Sequence, residues 1–283
     1  MEVNYRPRKT KEIKDNGRSA DYTTPNFVHN CPMLCAYCYQ HRHNESTDLN
    51  VATNVEDLLE NILAHRQTLG DKKPNQVDST YWTYDIGCNT DISRVAKYIP
   101  WKDIFAFAKE KDLKFTFATK WFNQDFLTFN PDKKVRIRLS LLPEKMIKIM
   151  DKGTHSLDMR LSAMEKLYNA GYEVHVNFSP IIVYDGWRDD YRTLFRRVKE
   201  LGVPDLKAEC IFLTHENKKH LYNQVNYPEA EKYLWFPEAQ EAKVSQYGGQ
   251  AIRYHHRLKS VWSSKFRTIL QEELPECTIR YLF

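Results

Sequence analysis

Cys31-Pro32-Met33-Leu34-Cys35-Ala36-Tyr37-Cys38-Tyr39 decides how the rest of the chain reads. Its three cysteines stand at C-x3-C-x2-C spacing. Thiolates this close in sequence can face one inorganic cluster, and iron–sulfur clusters are held by cysteine thiolates. A [4Fe–4S] cube with three protein ligands keeps one iron open to a cofactor or substrate. Zinc is the competing reading, and it needs a fourth ligand, which His29, His41 or His43 can supply. The other cysteines, Cys88, Cys210 and Cys277, are isolated in sequence, so no second pair forms a metal half-site. A disulfide framework does not suit a chain of 283 residues without a secretory signature.

Apolar residues make up 42% of the chain and aromatics 13%, which excludes a disordered class and allows a full core. A net charge of +5 is compatible with a polyanionic partner without requiring one. No run of 18 apolar residues occurs, so no membrane span is expected. The first eighteen residues are charged and lack the apolar core of a signal peptide. A reduced, cytoplasmic setting is therefore expected.

Downstream, strands and helices alternate. Asn26–His29 reads as a short strand leading into the cysteine loop. Asn54–Leu63 reads as an amphipathic helix capped by Thr53 or Asn54. Strands are expected at Thr80–Tyr84, Lys114–Thr119, Val135–Leu139, Glu173–Phe178 and Leu206–Phe212. Helices are expected at Trp101–Lys111, Leu157–Ala170 and Tyr191–Leu201, with a short helical piece at Asn123–Leu127. About six β/α units fit before residue 215, which predicts an α/β fold built as a partial (β/α)6 TIM-like barrel. The expected domains are a basic arm over 1–25, the barrel over 26–215, and a hairpin and helical extension over 216–283 that faces the substrate. In such barrels chemistry sits at the C-terminal strand ends. Those ends carry Asp85–Asp91, Lys120, Ser140 and Ser179-Pro180.

The cysteine spacing and the aromatic after its last cysteine resemble the radical S-adenosylmethionine (SAM) signature. Further segments, in order, resemble the spore photoproduct lyase family: Cys88-Asn89-Thr90-Asp91, Phe117-Ala118-Thr119-Lys120, Val135–Ser140, Lys152-Gly153-Thr154-His155-Ser156-Leu157, Ala170-Gly171-Tyr172, Ser179-Pro180-Ile181 and Asp185-Gly186-Trp187. The resemblance implies a radical SAM enzyme acting on a thymine–thymine lesion in DNA through a 5′-deoxyadenosyl radical. It implies that Cys31, Cys35 and Cys38 hold a [4Fe–4S] cluster, and that Thr90, Lys120, Ser140 and Tyr39 contact SAM. Cys88 matches a cysteine that returns a hydrogen atom to the product radical, and Tyr37 and Tyr39 match tyrosines linked to radical relay. An external electron donor such as flavodoxin or ferredoxin is implied, with the chain acting as a monomer. Read alone, Cys88 is a small buried hydrophobe and Lys120 a solvated lysine.

The chain departs from the family in two places. Only some thirty residues precede the cysteines, and Ser245-Gln246-Tyr247-Gly248 carries Gln246 where the family has an arginine facing the lesion. Gln246, Tyr247, Arg253 and Arg257 are the candidate substrate or DNA contacts. The run from Gln250 to Arg267 interleaves basic and aromatic residues, which suits phosphate contact and base stacking. It also fits an amphipathic helix packing Leu258, Trp262 and Ile269. These departures keep open radical-mediated thymine hypermodification and a radical SAM reaction on a non-DNA substrate. A DNA-binding metal module without catalysis is the alternative from another class, and the sequence speaks against it because Thr90, Lys120 and Ser140 would have no reason to gather at strand ends.

Overall fold

The computed structural model describes residues 1–40, 46–244 and 249–283. Its strands are, in chain order, β1 (Val3–Arg6), β2 (Lys14–Asp15), β3 (Tyr22–Thr23), β4 (Val28–His29), β5 (Leu34–Cys35), β6 (Leu49–Ala52), β7 (Thr83–Asp85) and β8 (Lys114–Thr119). They continue with β9 (Val135–Ser140), β10 (Asp151–Lys152), β11 (Glu173–Ile181), β12 (Lys207–Phe212), β13 (Thr214–His215), β14 (Gln240–Val244), β15 (Gln250–Tyr254) and β16 (Thr278–Leu282). Eight of them share one hydrogen-bonded order, β2-β3-β7-β8-β9-β11-β12-β16. The expected alternation is present: β3, β7, β8 and β9 pair in parallel, as do β12 and β16.

Two corrections follow. The strand read at Asn26–His29 is β4, and it pairs with β6 in a small separate sheet beside β1. In the eight-stranded order the place beside β7 is taken by β3, only two residues long and too short to show a period. The helix expected from Asn54 spans Val55–Thr68, and Asn54 does not cap it through its side chain. Instead Asn54 accepts from the Arg8 amide at 2.7 Å and donates to the Arg8 carbonyl at 3.2 Å, tying down the N-terminal segment.

The described residues group into two compact units. Met1–Pro32, Ser46–Ser140 and Ser162–Val176 form the first, and the rest form the second. In the first, Trp101, Phe105, Phe117, Phe126 and Tyr172 make an aromatic core, with Trp101–Phe126 at 4.8 Å and Phe105–Phe126 at 5.2 Å between ring centroids. Of these, Phe105–Phe126 is edge-to-face, and such a pair adds about 0.5–1.5 kcal/mol beyond area burial. In the second, Phe178, Tyr191, Phe195, Phe212 and Phe266 pack likewise, with Phe178–Phe195 at 5.1 Å and Tyr191–Phe266 at 5.2 Å. Phe266 lies on the helix His256–Glu273, whose buried stripe is Phe266, Ile269 and Leu270. The expected stripe is thus corrected at Leu258, which is exposed. No helix among the described residues is long and apolar enough to cross a membrane.

Candidate active site

In the first unit, strand register lines up the candidate residues. Asp85 pairs with Thr116, Thr116 with Arg136, and Ala118 with Arg138. Side chains alternate along a strand. Asp85, Thr116 and Arg138 therefore share one face, and Lys120 and Ser140 continue it at the C-terminal ends of β8 and β9. Every residue of β9 is buried, as expected of a strand covered on both faces. Its arginines are neutralised in place. Arg136 binds Asp78 at 2.5 Å and Glu173 at 2.8 Å, and Arg138 binds Asp85 at 2.6 Å. The charged part of this face is thus committed to holding strands, while the strand ends carry Lys120 and Ser140.

The loop after β7 reaches the same end. Gly87 lets it press on β8, because a Cβ there would stand 2.7 Å from Phe117 Cβ. Asp91 closes the loop by capping the helix Ile92–Val95 at the Arg94 amide, 3.1 Å away. Its Oδ1 also accepts from the Thr119 hydroxyl at 2.7 Å, and its Oδ2 accepts from the Lys120 amide at 2.7 Å. One carboxylate therefore joins the Cys88–Thr90 loop to the end of β8. Burial raises its pKa against the hydrogen bonds that lower it. Next to it, Thr90 is buried and its Oγ1 has no hydrogen-bond partner. Buried hydroxyls are normally satisfied, so this one fits a polar atom of a bound ligand. Cys88 and Lys120 are partly exposed.

In the second unit, Cys35 ends β5, and β5 pairs with β10 so that Cys35 stands opposite Asp151. The Cys38 amide donates to the Cys35 carbonyl at 3.0 Å, closing the turn between the two thiols. The Tyr37 hydroxyl donates to Asp151 at 2.5 Å, and burial, then the Asp151 charge, pushes its pKa well up. Asp151 also pairs with Arg160 at 2.8 Å, both side chains being fully buried. Arg160 in turn donates to the Thr154 hydroxyl at 2.7 Å and to the His155 carbonyl at 2.9 Å. The Lys152–Leu157 segment thus braces the strand that carries Cys35. Tyr39 is 43% exposed, so its ring is not packing material.

Arg253 forks onto Glu241, with both guanidinium contacts at 2.9 Å, and Arg257 is exposed at the start of the last helix. Gln246 and Tyr247 lie outside the described residues, as do His41 and His43. His29 sits on β4, its pKa lowered by burial and then by Arg8. Sequence reasoning gave Asp91 no separate role and missed Asp151 and Arg160. Asp91 was findable as an Asp before an apolar helical start; the Asp151–Arg160 pair leaves no local pattern.

Three thiols in one short loop are donors that fit an iron–sulfur cluster. In the first unit, a buried hydroxyl without a partner, and a lysine and serine at neighbouring strand ends, are donors that fit a zwitterionic, ribose-bearing cofactor. Comparisons with known proteins agree. The family model for spore photoproduct lyase matches residues 5–283. Spore photoproduct lyase of Bacillus subtilis (strain 168) is 25% identical over 282 residues, covering 97% of this chain and 80% of that protein. The Clostridium acetobutylicum protein of the same name is 26% identical over 236 residues, covering 81% and 67%. A solved single-substitution variant of spore photoproduct lyase superposes with a TM-score of 0.88 at 22% identity, covering 99% of this chain and 82% of that one. Another variant, solved with bound AdoMet and dinucleoside spore photoproduct, gives 0.86 at 21%, with the same coverage. The likeness shows the fold to be the partial α/β barrel expected from the sequence. With a family match running almost from end to end, this chain belongs to the spore photoproduct lyase family.

Proposed function

We propose that this chain is a radical SAM enzyme that acts on a thymine-derived lesion in DNA, as the family's named activity implies. The observation that carries the reading is the unpartnered Thr90 hydroxyl, in a loop that Asp91 ties to the Lys120 amide. Cys31, Cys35 and Cys38 are the cluster ligands, and Thr90, Lys120, Ser140 and Tyr39 hold SAM. When bound, the two cofactors supply one-electron chemistry that removes a hydrogen atom from the substrate.

The protein's own residues do the rest. Lys120 presents a cation to the SAM carboxylate, and the hydroxyls of Thr90 and Ser140 donate to that carboxylate or hydrogen-bond the ribose hydroxyls. Cys88 returns a hydrogen atom to the thymine radical after bond scission, because a thiol S–H is weaker than the C–H it makes, and the thiyl radical left on its sulfur is passed to the tyrosine relay. Tyr37, fixed on Asp151, and Tyr39 stand on the cysteine loop as the relay candidates. Arg253 and Arg257 meet phosphates, and a flavodoxin or ferredoxin delivers the electron. A base reaches a barrel mouth only after extrusion from the stack.

The test is incubation of reduced, SAM-loaded protein with dinucleoside spore photoproduct and, separately, with modified-thymine oligonucleotides. Conversion of the lesion to two thymines, read by mass, supports repair. An unchanged lesion beside an altered modified thymine rejects it in favour of hypermodification. Cys88→Ala is expected to keep SAM cleavage and lose normal product; normal product at a normal rate removes Cys88 from its role.

A further inference from the structure

His215, His220 and Glu231 lie within the second unit, on β13, on the helix Asn217–Asn226 and on the helix Pro228–Glu231. Their donor atoms all stand within 4.8 Å of one another. His215 Nε2 is 2.8 Å and His220 Nδ1 2.6 Å from the same carboxylate oxygen, Glu231 Oε1. The other oxygen, Oε2, accepts from the Asn223 amide at 2.7 Å. Both rings converge on one oxygen, and the second oxygen is used to aim the first. His215 and Glu231 are buried, and the Trp235 ring stacks on His220 at 3.9 Å. Burial works against the ionised form of Glu231, but hydrogen bonds led by His215 hold its pKa below the ordinary value.

We infer that His215, His220 and Glu231 form a binding site for a divalent transition-metal ion, separate from the cysteine loop. Two imidazoles and one carboxylate are a ligand set for zinc or iron(II), with positions to spare for water. Bonds of about 2.0–2.2 Å need only a small closing movement of donors already gathered. Asn223 is the outer group that orients the carboxylate, the kind of partner metal sites depend on. The same amide donates to the Ala36 carbonyl at 3.0 Å, between Cys35 and Tyr37. An ion at this site therefore stiffens the support of the cysteine loop.

The experiment uses the anaerobically reconstituted protein, exposed to Zn(II) and then dialysed, with zinc and iron counted per chain by mass spectrometry. About one zinc above an unchanged iron count is expected in the wild type. His220→Ala and Glu231→Gln are expected to weaken zinc binding at least tenfold. The double variant His255→Ala/His256→Ala, which removes the more exposed Glu241–His255–His256 group, is expected to bind normally. His220 is partly exposed, so its variant keeps the test open if Glu231→Gln does not fold. No zinc above background, zinc retained by His220→Ala, or loss that follows the double variant would each overturn the assignment.

Discussion

Two buried carboxylates organise two different regions, and they do so by opposite means. Asp91, in the first unit, is held by neutral donors: two backbone amides and one hydroxyl. Glu231, in the second, is held by two imidazoles and an amide. Burial wins at Asp91 and its pKa is raised; hydrogen bonding and imidazole charge win at Glu231 and its pKa is lowered. The difference separates two jobs. A carboxylate that gathers backbone donors fixes the path of loops, whereas one that gathers imidazoles builds a ligand set.

The comparison breaks most visibly at Asp91. Asp91→Ala strands buried donors that cost about 1–3 kcal/mol each. A loss of about 3 kcal/mol or more is expected in denaturant unfolding, with SAM binding lost as the loop detaches. Gly87→Ala should follow, at about 1–3 kcal/mol for overpacking against Phe117. A neutral result there would mean that the loop does not press on β8.

A smaller effect sharpens the contrast through pH. The raised folded pKa of Asp91 means that the native state binds the proton more tightly than the unfolded chain. Stability from this group therefore falls as pH rises from the ordinary aspartate range through its folded value. Glu231 has the reverse sign: its contribution is full above the ordinary glutamate range and is lost as pH falls through its depressed value. Unfolding followed across acidic pH should lose the first trend in Asp91→Asn and the second in Glu231→Gln. Matching pH profiles for the two variants would erase the distinction.

Thr90→Val should have the smallest effect on stability, because it replaces an unpartnered hydroxyl with a methyl of similar size. Unfolding is expected to stay within about 0.5 kcal/mol of wild type. SAM affinity is expected to drop about tenfold, the equivalent of about 1.4 kcal/mol. Unchanged affinity would show that the hydroxyl is not a ligand contact.

The two regions also differ in how far the sequence revealed them. Lys114–Thr119 and Val135–Leu139 were readable because short β-rich runs carry their own period. Cys88 to Asp91 is one contiguous motif, and Lys120 and Ser140 follow from where β8 and β9 stop. The Glu231 network joins residues 36, 215, 220, 223 and 231, which no local period connects. The same holds for Asp151 with Arg160, and for β16, which enters the sheet from the end of the chain. Lys152–Leu157 was visible as a motif, but its bracing of Cys35 became visible only once β5 and β10 paired. The terminal helix was read as amphipathic with one stripe residue misplaced, since Leu258 stands in its exposed first turns.

The most direct measurement is iron and acid-labile sulfide content after anaerobic reconstitution, followed by reduction in the presence of SAM. About four of each per chain, brown colour and release of 5′-deoxyadenosine are expected, all abolished together in Cys35→Ala. A colourless, metal-free protein that still converts its nucleic-acid substrate would contradict the account.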